Sequence, residues 1–276
     1  AYFYNEYGTE IHLIEMLPRI VPIEDEAVSK ELARNFKKSG IKIYTNAEVS
    51  KIDALKTKVK VHLKRKGKKE TIEGDIALVA IGVTGNIEGI GLEDIGVATD
   101  KGAIIINEFS QTSVPNIYAI GDVTGPPWLA HVASAQGHVA AEHAAGHDTT
   151  PVDYTNIPGC TYCQPQVASI GLTESAAKEK GHDVKIGKFD FKASGKAMAS
   201  GDTTGFVKLV FDSKYGELLG AHIIGSEATE MIAELGMAKA LESTWHELAT
   251  TVHAHPTLSE AVMEAALDAM DQGVHQ

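Results

Sequence analysis

The chain is short of cysteine: its 276 residues hold two, Cys160 and Cys163. Two thiols cannot build a secreted disulfide framework, so a reducing, cytoplasmic setting is expected. No apolar run approaches the ~18 residues that read as a membrane span, so none is expected. The opening, Ala1-Tyr2-Phe3-Tyr4-Asn5-Glu6, has neither a basic flank nor a long apolar stretch, so it does not read as a secretory leader. Positive charge is in deficit, with 25 Lys and Arg against 37 Asp and Glu and a formal net charge of −12. A polyanion would be repelled overall, which argues against a nucleic-acid partner. An initiator Met, internal repeats and low-complexity segments are absent as well.

What is present alternates between strand and helix patterns. Residues 1–8 read as the tail of a helix ended by Gly8, and Glu10–Ile14 as a strand. The chain is therefore expected to begin inside a βαβ unit. A helix is expected from about Asp25 to Ser39. Asp25 and Glu26 lie in its first turn, Lys37 and Lys38 in its last, and Val28, Leu32 and Phe36 form its apolar stripe. Ile41–Tyr44 is the next strand, and Lys56–Glu73 reads as a hairpin turning at Gly67. Ala77–Ile81 is apolar throughout, as a strand buried on both faces would be.

A second block contains expected strands at Ala103–Ile106 and Ile117–Ile120, then a helix from about Leu129 to Ala145. A third block, from Val152, mixes strands at 167–171, 184–191, 205–211 and 217–224 with helices at about 226–242, 245–252 and onward from Thr257. Thr173 is expected to cap a short helix stopped by Gly181. The order of elements suggests an α+β layer.

Three segments carry chemistry. Glu15 stands where a βαβ dinucleotide fold places an acidic residue against ribose hydroxyls, although a solvated strand-end Glu would look the same. Ile117-Tyr118-Ala119-Ile120-Gly121-Asp122 is an apolar strand closing in Gly-Asp, with a helix soon after. The glycine permits close backbone approach, the carboxylate can accept from a polyol, and the helix start supplies N–H donors. The bland alternative is a turn Asp capping that helix. The third is His253-Ala254-His255-Pro256-Thr257-Leu258-Ser259-Glu260. Thr-x-x-Glu alone is a capping box. Taking His255 with Glu260 gives a carboxylate that orients an imidazole, leaving its other nitrogen free to take a proton from a thiol.

The Gly121-Asp122 segment resembles the second flavin-binding motif of flavoproteins with two dinucleotide-binding domains. Trp128-Leu129-Ala130-His131 resembles their segment that meets the flavin ring. Val79-Ala80-Ile81-Gly82 is similar to the strand that closes their NAD domain, with Val83-Thr84-Gly85-Asn86 where Arg and Pro usually follow. The His255–Glu260 segment closely resembles the C-terminal signature of the dihydrolipoamide dehydrogenases, within the class I pyridine nucleotide-disulfide oxidoreductases. Glutathione reductases share the His-Pro and a following Glu but usually depart from the rest. Mercuric reductases use C-terminal cysteines that this chain lacks.

The resemblance implies partial NAD(P)-binding and FAD-binding Rossmann-like domains plus a C-terminal α+β dimerisation domain. The expected bounds are 1–84, 85–151 and 152–276. It implies FAD and NAD as cofactors, with Glu15, Val49, Gly82, Gly121, Asp122, Trp128, Leu129, Ala130 and His131 as contacts and no metal. It implies His255 as a base with Glu260 as its orienter, serving a redox disulfide across a homodimer interface. The implied reaction is oxidation of dihydrolipoyl groups on an acyltransferase of a 2-oxo acid dehydrogenase complex. The family's first Gly-rich FAD motif, its redox Cys pair and its NAD Gly-rich turn have no counterpart here. The chain is therefore expected to be a fragment, inactive by itself. Another disulfide reductase of the same fold, or a fragment that only dimerises, remains the alternative.

Other features read as structural. Cys160-Thr161-Tyr162-Cys163 does not open a helix after a βαβ strand, and nothing electropositive surrounds it. The basic run at 64–69 fits a solvated hairpin tip. His143 and His147 have metal-ligand spacing but no third ligand. Met231, Ile232, Leu235 and Ala238 form a core or interface stripe.

Overall fold

The computed structural model describes residues 1–275. In chain order the first elements are α1 (Tyr2–Glu6), β1 (His12–Ile14), α2 (Glu26–Lys38), β2 (Lys42–Tyr44), β3 (Ala47–Ala54), β4 (Val59–Arg65) and β5 (Lys68–Gly74). Then come β6 (Thr99–Asp100), β7 (Ala103–Ile104), α3 (Ala130–Ala144), β8 (Gly159–Thr161), β9 (Gln166–Gly171), α4 (Glu174–Glu179) and β10 (Val184–Asp190). The last are α5 (Gly195–Ser200), β11 (Phe206–Asp212), β12 (Leu218–Gly225), α6 (Ala228–Ala240), α7 (Trp245–Thr250) and α8 (Glu260–Ala269). Contacts group residues 1–77 with 156–276 as one body and 78–155 as another.

In the first body, β1 and β2 pair in parallel across α2, one βαβ unit. Asp25 caps α2 by accepting from the Ala27 N–H at 2.9 Å, and Lys37 and Lys38 complement its C-terminal dipole. β3, β4 and β5 form an antiparallel sheet, and the β4–β5 turn falls at Lys66-Gly67 as expected. The main sheet has the order β10-β11-β12-β9-β8, all antiparallel. Strand alternation gives β11 two buried faces. Val207, Leu209 and Phe211 join Met231, Ile232 and Leu235 of α6 and Val262, Ala265 and Ala266 of α8. Phe206, with Val167 and Ile224, meets Val28, Leu32 and Phe36 of α2 on the opposite face.

α8 lies unusually close to β10. A Cβ at Gly187 would collide with the Ala265 carbonyl oxygen and come within 3.0 Å of the Ala269 Cβ. Glycine at 187 therefore sets the depth at which α8 docks. The Met231 stripe is core, as its spacing implies.

Two expected strands do not form. Ala77–Ile81 is irregular, with Ile81 94% exposed. The parallel pair stops at β1 and β2 among the described residues, so no neighbouring strand supplies ladder partners or a covering layer. Ile117–Ile120 is represented by a single bridge, Gln111 to Tyr118. No expectation covered β3, β6 or α5. The final helix starts at Glu260 rather than Thr257, because Thr257 is held back by a bond to the loop that precedes it.

In the second body, β6 and β7 form a short ribbon. A small core of Ile87, Leu92, Val97, Ile104 and Ala119 supports the turn that leads into α3.

Candidate active site

His255 lies on the loop between α7 and α8, and Glu260 is the first residue of α8. His255 Nδ1 is 2.9 Å from Glu260 Oε1. The Thr257 N–H donates to the other oxygen, Oε2, at 2.9 Å. That backbone bond, then the bond from His255, holds the Glu260 carboxyl below the ordinary glutamate range. Glu260 thus uses one oxygen toward the His255 ring and the other toward the Thr257 N–H. The capping box does not form, since α8 has Ser259 at its N-cap and the Thr257 hydroxyl donates to the Ala254 carbonyl at 2.7 Å.

A carboxylate accepting at Nδ1 fixes the neutral ring's proton on that nitrogen. Nε2 is then the basic nitrogen, and the His255 side chain is 78% exposed. The arrangement can take a proton from an incoming thiol and stabilise the imidazolium that forms. Sequence reasoning gave no role to His253, whose ring is anchored to α6 instead. Two histidines at a spacing of two on extended backbone would share one side, so their divergence, 5% against 78% side-chain exposure, could not be read from spacing.

The cysteines do not suit thiol chemistry. Burial pushes Cys163 up to about 11, and burial also raises Cys160. Cys160 lies in the edge strand β8.

In the second body, Gly121–Thr124 forms a 3-10 turn. Gly121 has φ +76° and its missing Cβ would lie 3.2 Å from the Ala133 Cβ, so backbone and packing both call for glycine. Gln136, buried on α3 and not anticipated from sequence, fixes this turn. Its Oε1 accepts from the Gly121 N–H at 2.7 Å and its Nε2 donates to the Tyr154 hydroxyl at 2.8 Å. Asp122 is exposed on the turn. Leu129 precedes α3 with no side-chain capping bond, and Ala130 and His131 form the helix's first turn. The first-turn N–H groups of any helix lack intrahelical partners. An open cleft of about 260 Å³ is lined by Thr84, Gly85, Thr124, Gly125 and Trp128, among others. A tight glycine turn, an exposed carboxylate and an uncapped helix start fit an anionic, polyol-bearing ligand such as a flavin dinucleotide.

Of the remaining expected contacts, Glu15 directly follows β1 and accepts from the Leu17 N–H at 2.8 Å. Val49 lies beside a bulge in β3, and Gly82 is exposed with φ +145°. His143 packs against Phe109 and bonds the Tyr118 hydroxyl at 2.8 Å. No cluster suited to a metal ion occurs among the described residues, and no helix among them is long and apolar enough to cross a membrane.

Comparison with known proteins bears directly on this geometry. Residues 1–137 match the pyridine nucleotide-disulphide oxidoreductase model, and residues 157–266 match the dimerisation domain of the same family. This chain belongs to the pyridine nucleotide-disulphide oxidoreductases.

Within that family it is similar to dihydrolipoyl dehydrogenases. It is 46% identical to the one from Rhizobium etli over 98% of this chain and 56% of the relative. It is 47% identical to that of Zymomonas mobilis over 100% of this chain and 59% of the relative. LpdA from Mycobacterium tuberculosis has the same fold, with a TM-score of 0.87 and 28% identity over 95% of this chain and 57% of that one. The chain thus spans less than three fifths of the length of each. Its α/β and α+β character follows the family, with Rossmann-like portions ahead of the dimerisation domain.

Proposed function

We propose that this chain is the C-terminal part of a dihydrolipoyl dehydrogenase whose base is His255. The observation that carries this reading is the 2.9 Å contact between His255 Nδ1 and Glu260 Oε1, with Glu260 itself pinned by the Thr257 N–H. In this reading His255 Nε2 takes the proton of a dihydrolipoyl thiol, and Glu260 holds the ring and offsets the charge it gains. Cys160 and Cys163, both pushed up by burial, are poor partners for that thiol. The reacting disulfide therefore belongs to other sequence, reached across a homodimer interface made by the 157–266 domain.

FAD would be held by the Gly121 turn, Asp122 and the Trp128–His131 segment, and NAD by Glu15, Val49 and Gly82. When bound, the two cofactors carry electrons from the dithiol to the nicotinamide. The physiological substrate is a lipoyl group on an acyltransferase of a 2-oxo acid complex. The two free thiols agree with a reducing cytosol.

The test is an assay of the full-length protein with dihydrolipoamide and NAD, and separately with glutathione disulfide. Turnover of dihydrolipoamide is expected, and preference for glutathione disulfide would overturn the reading. His255→Gln is expected to lower turnover by about 10²–10⁴-fold with flavin retained. Unchanged turnover would reject the base.

A further inference from the structure

The loop that carries His255 exposes Thr251, Val252, Ala254, His255 and Pro256, yet the side chain in their midst is drawn inward. The His253 side chain is 5% exposed. Its Nδ1 lies 2.9 Å from the Thr251 carbonyl oxygen, and its Nε2 lies 2.7 Å from Glu234 Oε1. Each ring nitrogen thus has an oxygen within hydrogen-bond distance, one on its own loop and one on α6. A charge-assisted bond of this length is among the stronger side-chain contacts a protein makes.

Glu234 sits on α6, whose Met231, Ile232 and Leu235 are buried against the main sheet. α6 is therefore a rigid reference. Two further hydrogen bonds are local, from the Thr251 hydroxyl to the Glu247 carbonyl of α7 and from the Thr257 hydroxyl to the Ala254 carbonyl, and Leu258 packs against the main core at the loop's end. His253 ties the centre of the loop to an element outside its own α7–α8 hairpin. His255, two residues on, has its side chain 78% exposed to solvent. Glu260 fixes the ring of His255 from one side, and His253 fixes the backbone that delivers it from the other.

We propose that His253 and Glu234 are a positioning pair that sets the pose of the His255 base. This rests on the reading of His255 given above. Neither residue touches the reacting thiol, and both act through the loop. Misplacing a reacting group by about 1 Å can cost about 10²-fold in rate.

The experiment is flavin reduction by dihydrolipoamide, followed by stopped flow in the full-length, flavin-loaded enzyme. His253→Ala is expected to slow the step by about 10–100-fold. In a His255→Gln background the same change is expected to cost less than about twofold, because residues acting as one unit are non-additive. Glu234→Ala removes the same bond from a partly exposed helix position where alanine is well tolerated, and should reproduce both results if His253→Ala folds poorly. Glu234→Gln keeps an acceptor in place and is expected to stay within about threefold of the native rate.

Equal losses with and without His255, or no loss at all, would overturn the proposal. So would a loss in Glu234→Gln as large as in Glu234→Ala. A His255→Gln enzyme with native rates would instead refute the base assignment, so the two failures are distinguishable.

Discussion

Replacing Lys208 by Met should unfold the first body more readily at neutral pH than at acid pH. Lys208 Nζ lies 2.9 Å from both carboxylate oxygens of Asp25 and 2.7 Å from Glu174 Oε2. The side chains of Lys208 and Asp25 are 8% and 3% exposed. Burial pushes Asp25 up, but the Lys208 ammonium and the Ala27 N–H outweigh it and leave the carboxyl below its ordinary range. Methionine keeps the apolar stem and removes the cation, so Asp25 is left as a buried carboxylate without its ammonium partner. Removing one partner of such a pair costs about 3–5 kcal/mol. For a body of about 200 residues that is about 6–20 °C in Tm.

The pH dependence has a defined sign. A carboxyl with a lowered folded pKa contributes stability above its unfolded value of about 3.9, and loses it as pH falls through the folded value. In the variant, burial without the cation raises Asp25, so the penalty is largest at pH 7 and shrinks as the carboxyl protonates. Neighbouring groups are coupled to the pair: Lys208 helps to lower His222 and Glu174, and the Asp25 charge helps to raise Glu24. Burial raises Glu24 against a bond from Ser169, and burial lowers His222 against the Leu172 carbonyl. Urea unfolding followed by circular dichroism at pH 7 and pH 4 measures the gap. A loss below about 1 kcal/mol at pH 7, or a gap that does not narrow toward pH 4, would refute the reasoning. Replacing Asp25 by Asn in the same chain should recover most of the loss, because no buried charge remains and Asn still caps α2.

Gly187→Ala should push α8 outward from the Ala265 contact, costing about 1–3 kcal/mol and lowering turnover through Glu260. Native stability and turnover would show that α8 is not held where it appears. Cys163, pushed up to about 11, should resist iodoacetamide at pH 8 in the folded protein, as read by mass spectrometry. Rapid labelling there would contradict its burial.

Local signals were legible in the sequence, and long-range ones were not. α2 was marked by Asp25 and Glu26 at its start, Lys37 and Lys38 at its end, and an apolar stripe between. Asp25 does cap the helix, but its second role is a bond to a lysine 183 residues away, which no window of sequence contains. The run Ala77–Ile81 has the composition of a buried strand, yet burial is supplied by neighbours, and β1 and β2 are the only parallel strands among the described residues. His253 was visible inside the motif, while its partner Glu234 lies on α6. Gln136 offered no signal, because a glutamine on a helix is ordinary until the Gly121 N–H it serves is known.

Glu260 shows how one carboxylate can serve a helix-start N–H and a histidine ring together. A side chain that only caps a helix has a spare oxygen, and a carboxylate that only orients a histidine has a spare oxygen too. Glu260 uses both, so the orientation of His255 is inherited from the first turn of α8 rather than from a free rotamer. α8 in turn is placed by Ala261, Val262, Ala265 and Ala266, all buried, and by the close approach at Gly187. The exposed ring of His255 is thus tied to the core through one helix start. In its proposed role as an exposed base His255 needs that connection, because solvent alone would leave the ring free to turn away from the thiol it would serve.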